Sequence, residues 1–133
     1  KAWREMLKDE KAPIYTSEEA GAKLAELASQ YDFSFFEYWA SDYAGHKQDM
    51  DWAISQLETF DGVLAGLLHT MPDDLLVLIT SDHGNMENIG TRRHTNMDVP
   101  CLLLGKDKMR KVFIGKGLGN LAEITPAIKR ILN

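Results

Sequence analysis

The apolar run Leu75-Leu76-Val77-Leu78-Ile79-Thr80 ends on Ser81-Asp82-His83-Gly84. Its length, and the turn residues Pro72-Asp73-Asp74 that open it, predict a buried strand of an α/β layer. Ligand sites of such folds lie outside the carboxyl ends of the strands, where this run delivers a carboxylate and an imidazole. His94 follows eleven residues after His83, ahead of Val99-Pro100. Upstream, Asp42-Tyr43-Ala44-Gly45-His46 repeats the pairing just after the aromatic run Phe33 to Trp39. Five oxygen and nitrogen ligands in two clusters suggest two metal ions, with His94 able to fold back over either cluster.

The rest of the chain alternates helices and strands. Ser17 can cap a helix whose Glu18 and Glu19 suit the positive end of the dipole, with Ala20, Leu24, Leu27, Ala28 and Tyr31 on one face and Asp32 closing it. Phe33 to Trp39 reads as a buried strand. Asp49 to about Leu68 carries apolar residues at helical spacing and closes on Met71-Pro72-Asp73-Asp74. After the strand Leu75 to Thr80 and its loop come a short strand Val99 to Leu104 and a possible strand Val112-Phe113-Ile114. Gly115, Gly117 and Gly119 then read as a turn, because they do not follow the strand-anchored G-x-G-x-x-G order of a phosphate loop. A last helix runs from about Leu121 to Leu132, with Pro126 in an early turn where its missing N–H costs least. The pattern predicts an α/β layered domain with a largely parallel sheet flanked by helices.

With 133 residues, 44% of them hydrophobic and 26% charged, the chain has the composition of one globular domain. A net charge of −5 with scattered basic residues argues against a nucleic-acid partner. No apolar stretch approaches the roughly 20 residues that cross a bilayer, and no charged-then-apolar leader opens the chain. A soluble, cytoplasmic protein is expected. Cys101 is the only cysteine, which excludes an intrachain disulfide and a thiolate-rich zinc site. It is read as a small hydrophobe in a buried strand. His69 is read as a helix-terminal residue, and Trp3, Trp39 and Trp52 as core or domain interface.

Aspartate oxygens with neutral histidine nitrogens suit Zn²⁺ or Mn²⁺ better than Ca²⁺ or Mg²⁺. Two such ions roughly 3.5–4 Å apart clamp the attacking and leaving oxygens of a displacement at phosphorus, so phosphoryl transfer is the natural reaction class. Taken singly, Asp82 could cap a helix and His83 could be an ordinary loop residue. The combination of two strand-end pairs with a third histidine favours the metal reading. Arg92 and Arg93 could reach a substrate phosphate as bidentate donors, against a reading as a solvated loop pair. Lys47 meets the same solvated alternative as the arginines, and Asn85 could orient His83 from outside the ligand shell.

The stretch from Tyr38 to Leu104 resembles the metal-binding half of the alkaline phosphatase superfamily, in the branch of cofactor-independent phosphoglycerate mutase and phosphopentomutase. Thr80-Ser81-Asp82-His83-Gly84-Asn85 matches that branch's T-A-D-H-G-N signature, and His94-Thr95-Asn96-Met97-Asp98-Val99-Pro100 resembles its H-T-x-x-x-V-P segment. Asp42-Tyr43-Ala44-Gly45-His46 matches D-x-x-G-H. Leu57-Glu58-Thr59-Phe60-Asp61 looks like the family's helix ending in an acidic-hydrophobic-Asp pattern, and Leu121 to Ile128 is similar to the branch's closing helix. The step from Asp42 to His46 resembles the phosphoglycerate mutases. The short gap from His83 to His94, and Gly45-His46-Lys47-Gln48-Asp49, look more like the phosphopentomutases.

The resemblance implies that Asp42, His46 and His94 bind one ion, Mn²⁺ or Zn²⁺, while Asp82 and His83 bind the other. In the family the second ion is completed by an Asp near the N-terminus and by a Ser or Thr that accepts the phosphoryl group of a small phosphorylated substrate. Neither is found in this sequence. Residues 1–133 are therefore expected to be the C-terminal part of a longer, alkaline-phosphatase-like metalloenzyme, with its N-terminal strands and inserted substrate domain outside this chain. The implied activity of the whole is phosphomutase chemistry through a phosphoenzyme, and this chain alone is expected to be inactive. The missing part is its expected partner, and exposed apolar surface would promote self-association. A phosphatase or phosphodiesterase of the same superfamily, or a catalytically incomplete metal-binding module, is the alternative.

Overall fold

The computed structural model describes residues 2–133 and has α/β architecture: six α-helices and one two-stranded sheet among these residues. The side chain of Trp3 lies outside the described residues. Helices α1 (Ala2–Leu7), α2 (Ser17–Ala28), α3 (Trp39–Lys47) and α4 (Met50–Thr70) precede strand β1 (Val77–Thr80). After a long loop come β2 (Cys101–Leu104), α5 (Asp107–Ile114) and α6 (Ile124–Leu132).

The centre of the scaffold is the α2–α4 pair. Thr16, one residue before the predicted cap, opens α2 with a capping box. Its side chain accepts from the Glu19 amide at 3.2 Å, and the Glu19 carboxylate accepts from the Thr16 amide at 2.8 Å. Asp49 caps α4 by accepting from the Trp52 amide at 3.0 Å. The two helices approach closely because Gly21 faces the Val63 carbonyl and Gly66 faces the Glu18 carbonyl, leaving no room for a Cβ at either crossing point. Ala25, Val63 and Leu67 are buried along this seam. A smaller pair, α5–α6, buries Phe113 and Ala127, and Arg130 Nη2 donates to the Phe113 carbonyl at 2.6 Å. That bond satisfies an end of α5.

Several expectations are corrected. The sheet is antiparallel, with Val77 opposite Leu104 and Thr80 opposite Cys101, rather than largely parallel. These two strands follow one another through a loop that reverses the chain, and such neighbours pair antiparallel. The run Phe33–Tyr38 is irregular chain, not a strand, and Trp39 already belongs to α3. The rings of Phe33, Phe35, Phe36 and the adjoining Trp39 are exposed, Phe35 81% and Trp39 69% accessible, while Tyr38 is half-buried against Phe60. Among the described residues no strand pairs with this segment, so aromatic β-propensity has no pleated surface to act on. Val112-Phe113-Ile114 is the end of helix α5, stopped at Gly115 with φ +57°. Cys101 is exposed rather than buried, because no layer covers that face of the two-stranded sheet among the described residues. Trp52 is half-buried and meets Tyr43 edge to face, with ring centroids 5.3 Å apart. His69 sits in the last turn of α4, as expected. No described helix is long and apolar enough to cross a membrane.

Candidate metal centre

Two chain segments meet at the site. One is α3, which carries Asp42 and His46 one turn apart on the same face. The other is the loop between β1 and β2, which carries Asp82, His83, Asn85 and His94. The loop is folded back on itself: the Thr95 amide donates to the Gly84 carbonyl at 2.9 Å, which sets His94 beside His83.

Asp42, His46 and His94 converge. His94 Nε2 lies 3.2 Å from Asp42 Oδ1 and 3.1 Å from His46 Nε2, and His46 Nε2 lies 3.4 Å from Asp42 Oδ2. Donors at tetrahedral angles about 2.0–2.2 Å from a zinc-sized ion are about 3.3 Å from one another, close to the separation of the two Nε2 atoms and to that of each from its own oxygen of the Asp42 carboxylate. The ring orientation fits as well. His46 Nδ1 is 2.7 Å from the Arg92 carbonyl, which can only accept, so Nδ1 carries a hydrogen and Nε2 is the nitrogen turned to Asp42 and His94.

His83 joins the edge of this cluster. Its ring stacks on His94, with centroids 3.5 Å apart and planes 15° from parallel, and one donor atom each from Asp42, His83 and His94 lie within 4.8 Å of one another. His83 Nδ1 is buried without a hydrogen-bond partner among the described residues, an orphan that a cation would satisfy. Asp82 stands apart: its side chain is 85% exposed and, among the described residues, its polar partner is His83 Nε2, at 3.5 Å.

The supporting residues differ in part from those expected. Asn85, only 6% accessible, serves Asp42 rather than His83: its Nδ2 donates to Asp42 Oδ1 at 2.5 Å and to the Asp42 carbonyl at 3.2 Å. Gly45 makes this contact possible, since a Cβ there would overlap the Asn85 carboxamide. Glu87 clasps the loop, accepting from the Thr95 hydroxyl and, at 2.7 Å, from the Asn85 amide. The Thr95 hydrogen bond holds the Glu87 carboxyl below its ordinary range. Arg92 Nε donates to Gln48 Oε1 at 3.0 Å, while Arg93 is exposed beside His94. Lys47 Nζ lies 5.1 Å above the Tyr43 ring, a cation–π contact. Sequence reasoning missed Gln48, Glu87 and Thr95, whose partners are set by how the loop folds back.

Residues 8–133 match the family described as the Metalloenzyme superfamily. The chain belongs to the metalloenzyme superfamily. Similar to this superfamily member are proteins named 2,3-bisphosphoglycerate-independent phosphoglycerate mutase. One from Antithamnion sp. is 33% identical over 110 residues, covering 77% of this chain and 21% of the relative. Those from Psychrobacter arcticus and Wolinella succinogenes are each 30% identical over 133 residues, covering 91% and 93% of this chain and 23% and 26% of the relatives. The metalloenzyme chain thus spans about a fifth to a quarter of the length of these curated relatives. No solved structure matches it. The resemblance to the phosphoglycerate mutase branch stands on these relatives and on the superfamily match.

Proposed function

We propose that residues 1–133 are the C-terminal, metal-binding part of a phosphoryl-transfer enzyme that acts on a small phosphate monoester of the phosphoglycerate kind. Asp42, His46 and His94 hold one Mn²⁺ or Zn²⁺ ion, and Asp82 and His83 contribute to a second. The observation that carries this reading is the convergence of Asp42, His46 and His94: the two Nε2 atoms lie 3.1 Å apart, each 3.2–3.4 Å from one oxygen of the Asp42 carboxylate, and His46 Nδ1 is turned away to the Arg92 carbonyl. Similarity to phosphoglycerate mutases supports the substrate class. Cytoplasmic residence belongs to the same proposal.

Bound there, divalent ions supply charge neutralisation on a phosphoryl group. The chain's own residues do the rest. Asn85 fixes the Asp42 carboxylate, the Arg92 carbonyl orients His46, and the Glu87–Thr95 clasp holds His94 against His83. Arg92 and Arg93 are the proposed phosphate contacts. Arg93 is the stronger of the two, because the Arg92 Nε is engaged by Gln48. The phosphoryl-accepting Ser or Thr lies outside this chain, in a part that also covers the exposed rings of Phe33, Phe35, Phe36 and Trp39. The solvent-facing Asp82 favours one alternative, a module that keeps a single metal centre and no catalysis.

Metal content after equilibration with Zn²⁺ or Mn²⁺ and dialysis tests the centre. One firmly held ion per chain, lost in both His46→Ala and His94→Ala, is expected. No uptake, or uptake indifferent to both substitutions, overturns it. In the longer polypeptide, ³¹P NMR of phosphoglycerate separates the chemistries: positional isomerisation marks a mutase, release of inorganic phosphate a hydrolase, and neither the metal-binding module.

A further inference from the structure

Gln48 ends α3 in a left-handed conformation, with φ 58° and ψ 31°, where a glycine or asparagine is the usual residue. A non-glycine side chain in that region is uncommon and worth a reason, and one is visible in what the side chain does. Its Oε1 accepts from Arg92 Nε at 3.0 Å, and its Nε2 donates to the Ile89 carbonyl at 3.4 Å. One exposed side chain on the cap of α3 thereby grips two points of the loop more than 40 residues away. Between those grips and the site stands the Arg92 carbonyl, 2.7 Å from His46 Nδ1. The left-handed turn aims the Gln48 side chain at the loop just past the helix that bears His46.

We infer that Gln48 is a positioning residue: by holding Arg92 it keeps the Arg92 carbonyl on His46 Nδ1–H, and so keeps the ring oriented with Nε2 directed at Asp42 and His94. The role as a metal ligand's support rests on the proposed metal centre, whereas the effect on the His46 ring does not. Gln48→Asn tolerates the left-handed backbone but leaves a side chain one methylene too short to reach Arg92 and Ile89 together, so this substitution isolates the grip from the backbone. Gln48→Glu keeps an acceptor for Arg92 Nε. Arg92→Leu cuts the same bond from the other side.

The experiment reads the ring-nitrogen ¹⁵N shifts of His46 in the metal-free full chain at a pH where the ring is neutral, together with Zn²⁺ affinity by titration. In the unsubstituted chain and in Gln48→Glu, His46 is expected as the Nδ1–H tautomer. In Gln48→Asn and Arg92→Leu it is expected as a mixture, with Zn²⁺ affinity roughly three- to tenfold weaker, the worth of one exposed hydrogen bond. An unchanged tautomer in Gln48→Asn and Arg92→Leu overturns the inference, whatever happens to affinity. So does failure of Gln48→Glu to retain the tautomer. If the unsubstituted chain takes up no Zn²⁺, the metal-centre reading fails, and the tautomer comparison still decides the role of Gln48.

Discussion

His94 lies flat on His83, ring centroids 3.5 Å apart and planes 15° from parallel, although eleven residues separate them in sequence. The stack and the Thr95–Gly84 hydrogen bond are two faces of one event, the folding back of the loop. His94 itself is nearly half exposed, so its removal takes little from the core. His94→Ala is expected to lower Zn²⁺ affinity at least about 100-fold while shifting the thermal midpoint by only a few degrees. His94→Phe, which keeps a ring on His83 and removes both nitrogens, gives the same loss of metal. Retained metal binding in His94→Phe would show that the ring stacks without serving as a ligand.

Asn85 is buried against Asp42, and its Nδ2 has no substitute donor at that place among the described residues. Truncating it leaves the Asp42 oxygens short of a buried partner. Asn85→Ala is expected to cost about 1–3 kcal/mol of folding stability and to weaken metal binding about 10–100-fold. Denaturant titration and metal titration on the same variant check both figures.

Gly45→Ala separates helix propensity from site geometry. Alanine favours α3 by about 1 kcal/mol over glycine, yet its Cβ would overlap the Asn85 carboxamide. The variant is expected to lose metal affinity about tenfold or more, whichever sign its stability change takes, because Asn85 must leave Asp42. A metal titration with unchanged affinity would contradict this contact.

The Glu87 clasp predicts an acid-sensitive loop. The folded carboxyl titrates below its ordinary value, chiefly through the Thr95 hydroxyl. Its contribution is therefore fully present above the unfolded value and lost as pH falls through the lowered folded one. The Thr95 and Asn85 amide resonances are expected to move together in that acid window. Glu87→Gln removes the transition, and its persistence in that variant would assign it to another group.

On the scaffold side, Gly66→Ala puts a Cβ against the Glu18 carbonyl at the α2–α4 crossing. Backbone cannot yield as a side chain tip can, so the overlap outweighs the gain in helix propensity. A net loss of about 1–3 kcal/mol is expected by thermal or denaturant unfolding.

The starts of α2 and α4 are legible in the sequence because their signals are local, Ser17 falling one residue after the cap Thr16 and Asp49 standing before an apolar periodicity, whereas α2 stops at Ala28, short of the expected Asp32. The pairing of Asp42 with His46 is legible for the same reason, since four residues make one helical turn. The error at Phe33–Tyr38 has a different origin. An aromatic run records that burial is wanted and is silent about where the covering surface comes from. Val112–Ile114 misleads because three apolar residues have no period, while the informative marks, Asp107 in the first turn and Gly115 after the last, lie outside the triplet. Asn85 invites assignment to its sequence neighbour His83, yet it reaches 43 residues back to Asp42. No local pattern carries such a contact.

The pairing of Thr80 with Cys101 ties the two ends of the site loop together at its base. The chain between them forms a closed excursion from the sheet, and residues added or removed near Ile89–Arg93 need not disturb the strands below. Loop-closure entropy grows only slowly with length. The spacing from His83 to His94 is therefore set by what Ile89 and Arg92 must reach on α3 rather than by the strands. A graft of this loop into a related sheet has to match the register of a single antiparallel pair at its root and a helix end like that of α3 beside it.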